Sequence, residues 1–156
     1  MKKINFKLFL FISFIIFTQN DFAQYNLYVS PGLKFGYAFG EDGGFVLGAE
    51  LSVVAWPEDG LSFHIGTVIS AEISKHFSVY HFGGEFGGAI GGIDVGPSIV
   101  NVEGESNLGV GGTLYTGFVL MPFFNYTKVS GGYHISQVGS YLKFPVLAKG
   151  KKFKFN

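Results

Sequence analysis

The stretch Leu61-Ser62-Phe63-His64-Ile65-Gly66-Thr67-Val68-Ile69-Ser70-Ala71-Glu72-Ile73-Ser74 decides the fold. Leu61, Phe63, Ile65, Thr67, Ile69, Ala71 and Ile73 fall on one face, and Ser62, His64, Gly66, Ser70, Glu72 and Ser74 on the other. A period of two is the signature of a β-strand, here about 45 Å long at ~3.3 Å per residue. Tyr25 to Phe39 repeats the pattern: Tyr25, Leu27, Val29, Leu33, Phe35, Tyr37 and Phe39 oppose Asn26, Ser30, Gly32, Lys34, Gly36 and Ala38. The second face holds glycine, serine, alanine and asparagine with an occasional charge. Such a face suits the inside of a narrow barrel better than a surface in water, and the apolar face then meets lipid.

The N-terminus reads differently. Lys2, Lys3 and Lys7 precede the apolar run Leu8 to Phe17, the charged and hydrophobic regions of a secretory signal peptide, too short to span a bilayer as a helix. Cleavage is expected after Ala23. Removing residues 1–23 leaves eight lysines against ten acids, a net charge of −2 that offers no basic field for nucleic acid. All 24 glycines remain, in 133 residues, well above the usual ~7%. Charged residues are 14% of the chain where about 25% is ordinary, so a water-facing surface is underprovided. There is no cysteine for a disulfide framework or a lipid anchor.

Turn signals divide the remainder into eight segments. Glu41-Asp42-Gly43-Gly44 and Pro57-Glu58-Asp59-Gly60 bound Phe45–Trp56; Leu61–Ser74 follows, then His76–Ile90, Ile93–Val100, Asn107–Phe118, a seventh strand through Tyr126–Val129, and Tyr133–Phe144. Asn101–Ser106 reads as the longest connector, Met121-Pro122 as a turn, and Gly91-Gly92 as the opening of strand five. An even number of antiparallel strands predicts an all-β, transmembrane, up-and-down barrel over residues 24–148, followed by a basic tail at 149–156. A soluble lipid- or ligand-carrying barrel is the alternative, with the faces reversed. Mean hydropathy of +0.34 and 22 aromatic residues after the signal peptide favour lipid outside.

Alternation places Lys34, Glu50, His64, Glu72, His81, Glu85, Asp94 and Lys143 on the inward face, with Phe77 and Val79 then demanding a bulge or a change of register in strand four. Ions inside a poorly hydrated barrel must be paired, which predicts a lumenal charge network. His81 and Glu85, or His64 and Glu72, could suggest a metal, but residues four apart on a strand are about 13 Å distant, too far to chelate one ion. His134 with Ser136, and His76 with Ser78, could suggest a lipid-modifying hydrolase or acyltransferase. No Gly-x-Ser-x-Gly elbow or third acid supports that reading. The paired glycines 83-84, 87-88 and 91-92 lack the following helix of a phosphate loop. They make room instead for large lumenal side chains such as Tyr115 or Tyr141. No cofactor is expected.

The signal peptide, the glycine- and aromatic-rich strands and Gly139-Ser140-Tyr141-Leu142-Lys143-Phe144 resemble the small eight-stranded outer-membrane β-barrel proteins of Gram-negative bacteria. In that family the last strand carries Gly-x-x-apolar-x-aromatic, read by the barrel-insertion machinery; Gly139, Leu142 and Phe144 match, while twelve residues follow Phe144 and leave Phe155 as a rival terminal aromatic. The resemblance implies a cell outer-membrane location, contact with outer-membrane lipid and the insertion machinery as partner. The role expected is non-enzymatic, envelope-structural or in membrane interaction.

Overall fold

The computed structural model describes residues 25–40, 42–57, 63–117 and 119–149, apart from the Lys149 side chain; the signal peptide and the tail from 150 lie outside them. Its strands are β1 (Tyr25–Phe39), β2 (Gly44–Pro57), β3 (His64–Ser74), β4 (Phe77–Gly88), β5 (Gly91–Val102), β6 (Glu105–Thr116), β7 (Leu120–Val129), β8 (His134–Lys143) and β9 (Val146–Lys149). Each long strand pairs antiparallel with the next, and β1 pairs with both β2 and β8, which closes an eight-stranded barrel. The short β9 continues β8 along β1, with Val29 opposite Val146 and Leu27 opposite Lys149. Pro31 and Pro145 flank the joint between β8 and β9. Neither has an N–H for the ladder, so pairing lapses there apart from Phe144 N–H donating to the Pro31 carbonyl at 3.0 Å.

Closure gives each of the eight long strands a neighbour on both sides, with only the short β9 left at an edge, and alternation then separates two chemistries. Outside lie Leu33, Phe35, Leu47, Ile69, Phe82, Val110 and Leu114 at mid-height, with Phe39, Phe45, Tyr80 and Tyr126 toward one rim and Tyr25, Phe63, Phe86 and Phe144 toward the other. Phe45 is 83% exposed, a burial failure in water and a normal state in hydrocarbon. Both lysines, both histidines and all four acids of the inward set are buried. This is the reverse of a soluble carrier barrel, whose lumen is apolar and whose outside is wet.

Three boundaries and one expected bulge differ from the reading of the sequence. Asn101–Ser106 is no long connector: β5 and β6 pair through Val102 and Glu105, leaving the two-residue turn Glu103-Gly104, both with positive φ as type I′ hairpins require. Asn101 and Ser106 are polar because they lie at the barrel rim, where Ser106 Oγ donates to Asn101 Oδ1 at 2.6 Å. Met121-Pro122 is inside β7, and the turn comes earlier at Gly117, whose φ of +106° suits glycine alone. Pro122 is tolerated because the β6–β7 ladder has already ended at Tyr115 and Phe123. Gly91-Gly92 belongs to β5, and the turn is Ala89-Ile90. Finally, β4 needs no bulge, since its register with β3 is unbroken and Phe77 and Val79 simply point inward. There they meet Ala38, Val46, Val100, Val129 and Ile135 in an apolar plug that closes the lumen at the end with the β1–β2, β3–β4, β5–β6 and β7–β8 turns.

Gly139 sits at the seam opposite Gly36. A Cβ there would strike the Phe35 carbonyl oxygen and come within 2.8 Å of the Phe123 ring. Gly139→Val is expected to destabilise the barrel by about 3 kcal/mol or more, the upper range for overpacking, because a backbone atom cannot yield as a side chain can. Urea unfolding in detergent measures it, and a change under about 0.5 kcal/mol, the scatter of neutral surface substitutions, would contradict the close approach.

Candidate functional site: the charged lumen

The lumen is built row by row across the strands. Lys34 on β1, Gly48 on β2 and Glu72 on β3 are successive cross-strand partners, and the Lys34 ammonium reaches over Gly48 to the Glu72 carboxylate. A Cβ on Gly48 would lie 3.0 Å from Glu72 Cγ. Glu50 on β2, Gly32 on β1 and Lys143 on β8 form the same arrangement, and Lys143 pairs with Glu50 across the glycine. A third row runs His64, Gly87, Gly92, Tyr115. Across its two glycines His64 Nε2 lies 3.3 Å from the Tyr115 hydroxyl, while a Cβ at Gly92 would lie 2.5 Å from that oxygen. Glycine in the intervening strand is therefore what lets a long lumenal side chain lie flat across its neighbour.

The rows join into one network. Tyr115 donates to Glu85, which also faces His64 at 3.6 Å and Lys143 at 3.7 Å. Gln137 Nε2 donates to Glu72 Oε2 at 2.9 Å. Tyr141 stands between the two ammonium groups, its ring centre 5.2 Å from Lys34 Nζ and 5.0 Å from Lys143 Nζ, and Phe123 takes Lys34 at 4.5 Å. Rings placed this way stabilise cations that water cannot reach. Glu85 and Asp94 are direct cross-strand partners, a like-charge pair that holds because each has its own base beside it.

Asp94, His81 and Ser98 form a chain that resembles an acyl-transfer relay on paper. His81 Nδ1 lies 2.9 Å from Ser98 Oγ, and its Nε2 faces Asp94 Oδ1 at 3.0 Å as an ion-pair contact. Ser98 is buried in the lumen, in mid-strand and paired with both neighbouring strands, rather than on a turn or helix N-terminus that would aim N–H groups at an oxyanion. The chain is one buried hydrogen bond, between His81 and Ser98, next to one ion-pair contact, between His81 and Asp94. The serine–histidine pairs read from the sequence are elsewhere: His134 and Ser136 are on the outward face, and His76 is in the β3–β4 turn. Among the described residues no three His, Asp or Glu are placed to hold a metal ion.

At the hairpin-turn rim, Tyr133 donates to Asp42 Oδ2 at 3.0 Å, tying the β7–β8 turn to the β1–β2 turn. Partial burial, then the Asp42 carboxylate, pushes the Tyr133 phenol up to about 12, so it remains a donor throughout the neutral range.

An apolar exterior, a closed strand order and a lumen filled by paired ions and an apolar plug decide the type. The chain is a small eight-stranded β-barrel of the outer-membrane architecture. No protein-family profile and no curated protein matches it. Among solved structures, it is similar to Neisserial surface protein A at 11% identity and a TM-score of 0.45, over 75% of this chain and 95% of that one. A second likeness is to Ail, the attachment invasion locus protein of Yersinia pestis, at 14% identity and a TM-score of 0.24, over 78% of this chain and 99% of that one. The architecture is read from this chain's own registers and rests on neither.

Alternation in the sequence places all eight charged residues of the barrel interior on the inward face but does not single out Gln137, Ser98, Thr113, Asn125 and Thr127, which share the interior with them. Their parity with Tyr141 on β8, Asp94 on β5, Tyr115 on β6 and Phe123 on β7 is the signal that would find them. Of the three residues that the sequence reading takes as an insertion signal, Leu142 and Phe144 face outward and Gly139 inward at the seam.

Proposed function

We propose that this protein is a non-enzymatic component of the bacterial outer membrane with an envelope-structural or membrane-interaction role. The observation that carries the reading is the lumen: it is filled from the apolar plug through the ion network to Tyr115, Met121, Phe123 and Tyr141, leaving the outer wall and the rims as the surfaces that meet other molecules. The described turns at the plugged rim span two to four residues, which is too little to build a receptor surface. Outer-membrane lipid is the partner that the wall fits, and the insertion machinery is the partner expected during assembly.

The test is fractionation with electrophoresis of unheated samples. The barrel is expected in the outer-membrane fraction with heat-modifiable mobility, and in planar bilayers the purified protein should give no conductance steps. Release with periplasmic contents would overturn the membrane reading; discrete ion currents would overturn the filled lumen.

An even strand count puts both ends of the barrel chain on one side of the membrane, and the proposed orientation makes that the periplasmic side. A cysteine replacing Lys75, in the β3–β4 turn, is then expected to react with an impermeant thiol reagent on whole cells, while one replacing Asp59 is expected to be protected. The opposite labelling pattern would invert the orientation.

A further inference from the structure

Lys128 has a position that nothing in the lumen explains. Among the described residues it is the one charged side chain on the outward face of β1–β8; every other lysine and acid within those strands points inward or stands at a rim. It lies one residue before the end of β7, directly opposite His134 at the start of β8, and the His134 ring packs on Tyr126 with centroids 5.8 Å apart. Below this polar corner a groove with an open volume of about 440 Å³ runs down the wall, lined by Lys128 at the rim and by Val110, Leu114, Ile93 and Phe124 deeper. Gly112 lines it, and its missing side chain leaves that part of the wall open.

A cation at the headgroup level above an apolar trough matches the layout of one kind of molecule. We infer that the β5–β7 wall holds a phosphorylated membrane lipid, its phosphate on Lys128 with His134 and Tyr126 beside it and one acyl chain in the groove. The inference rests on the membrane reading above. A solitary lysine on a lipid-facing wall is costly unless its ammonium reaches the interface, and there an anionic headgroup is its natural counter-ion. Tyr126 supplies a hydroxyl donor and an aromatic edge at the same height, as interfacial residues do. A second wall groove, at Ala49, Ala71 and Pro97, has no cation at either end and lacks that complementarity.

The full-length mature protein is reconstituted in phosphatidylcholine vesicles, insertion is verified by heat-modifiable mobility, and electron spin resonance with spin-labelled lipids compares phosphatidylglycerol with phosphatidylcholine at the protein surface. The wild-type barrel is expected to favour phosphatidylglycerol about fivefold at its strongest site, the gain of one lysine near an anionic headgroup. Lys128→Gln should abolish the preference and Lys128→Arg should retain it, whereas Lys75→Gln, which removes a turn lysine at the same rim, should leave it unchanged. An unchanged preference in Lys128→Gln, an equal loss in Lys75→Gln, or no preference in the wild type would each overturn the site. Failure of the wild type to insert would overturn the membrane reading and the site together, whereas insertion without selectivity would overturn the site alone.

Discussion

Glu72→Leu is expected to lower the unfolding free energy of the detergent-folded barrel by about 3–5 kcal/mol, the usual cost of leaving one member of a buried ion pair alone. The Lys34 ammonium is 2% exposed as a residue and has no water to turn to. Phe123 at 4.5 Å and Tyr141 at 5.2 Å offer cation–π contacts worth about 2 kcal/mol, less than the lost carboxylate, and Gln137 loses its acceptor as well. The double variant Lys34→Met/Glu72→Leu should recover most of the loss, because an apolar pair of similar volume replaces a buried ion pair at little cost. On the lipid face, Ile69→Leu should change stability by less than about 0.5 kcal/mol, since both side chains are equally at home in hydrocarbon. Urea titration of the four proteins decides. Equal tolerance at Glu72 and Ile69 would mean that the lumen is hydrated, and the filled-barrel reading would fall.

Truncation tests the seam, with a still larger effect. Ending the chain after Lys143 removes Phe144 and the whole of β9, and so the partners of Leu27, Tyr28, Val29 and Pro31 on β1. Backbone groups opened in hydrocarbon cost several kcal/mol each, so the yield of folded, heat-modifiable protein should fall by about tenfold or more. Ending it after Lys149 keeps every pairing described for β1 and should leave folding intact. Loss of the folded form in the longer truncation would show that residues beyond Lys149 complete the closing strand. The insertion signal read as Gly139, Leu142 and Phe144 therefore precedes the last paired residue, and Phe144→Ala should reduce insertion without abolishing it.

The period-two pattern in the chain by itself determined that it forms long strands, that they are even in number, and which way Lys34, Glu50, His64, Glu72, His81, Glu85, Asp94 and Lys143 point. Those are properties of one strand at a time, because successive side chains must leave opposite faces of an extended backbone. Polar composition misplaced the turn at Glu103-Gly104 because strand residues at a barrel rim are as polar as loop residues. Alternation also suggested a defect at Phe77 and Val79, because a lumen with an apolar plug accepts apolar side chains on the face otherwise kept polar. Only the tertiary structure decided who pairs with whom: Lys34 with Glu72 across Gly48, Lys143 with Glu50 across Gly32, and His64 with Tyr115 across Gly87 and Gly92. Partnership depends on the register of three or four strands at once, and that register is set when β1 meets β8 and the last open edge is satisfied.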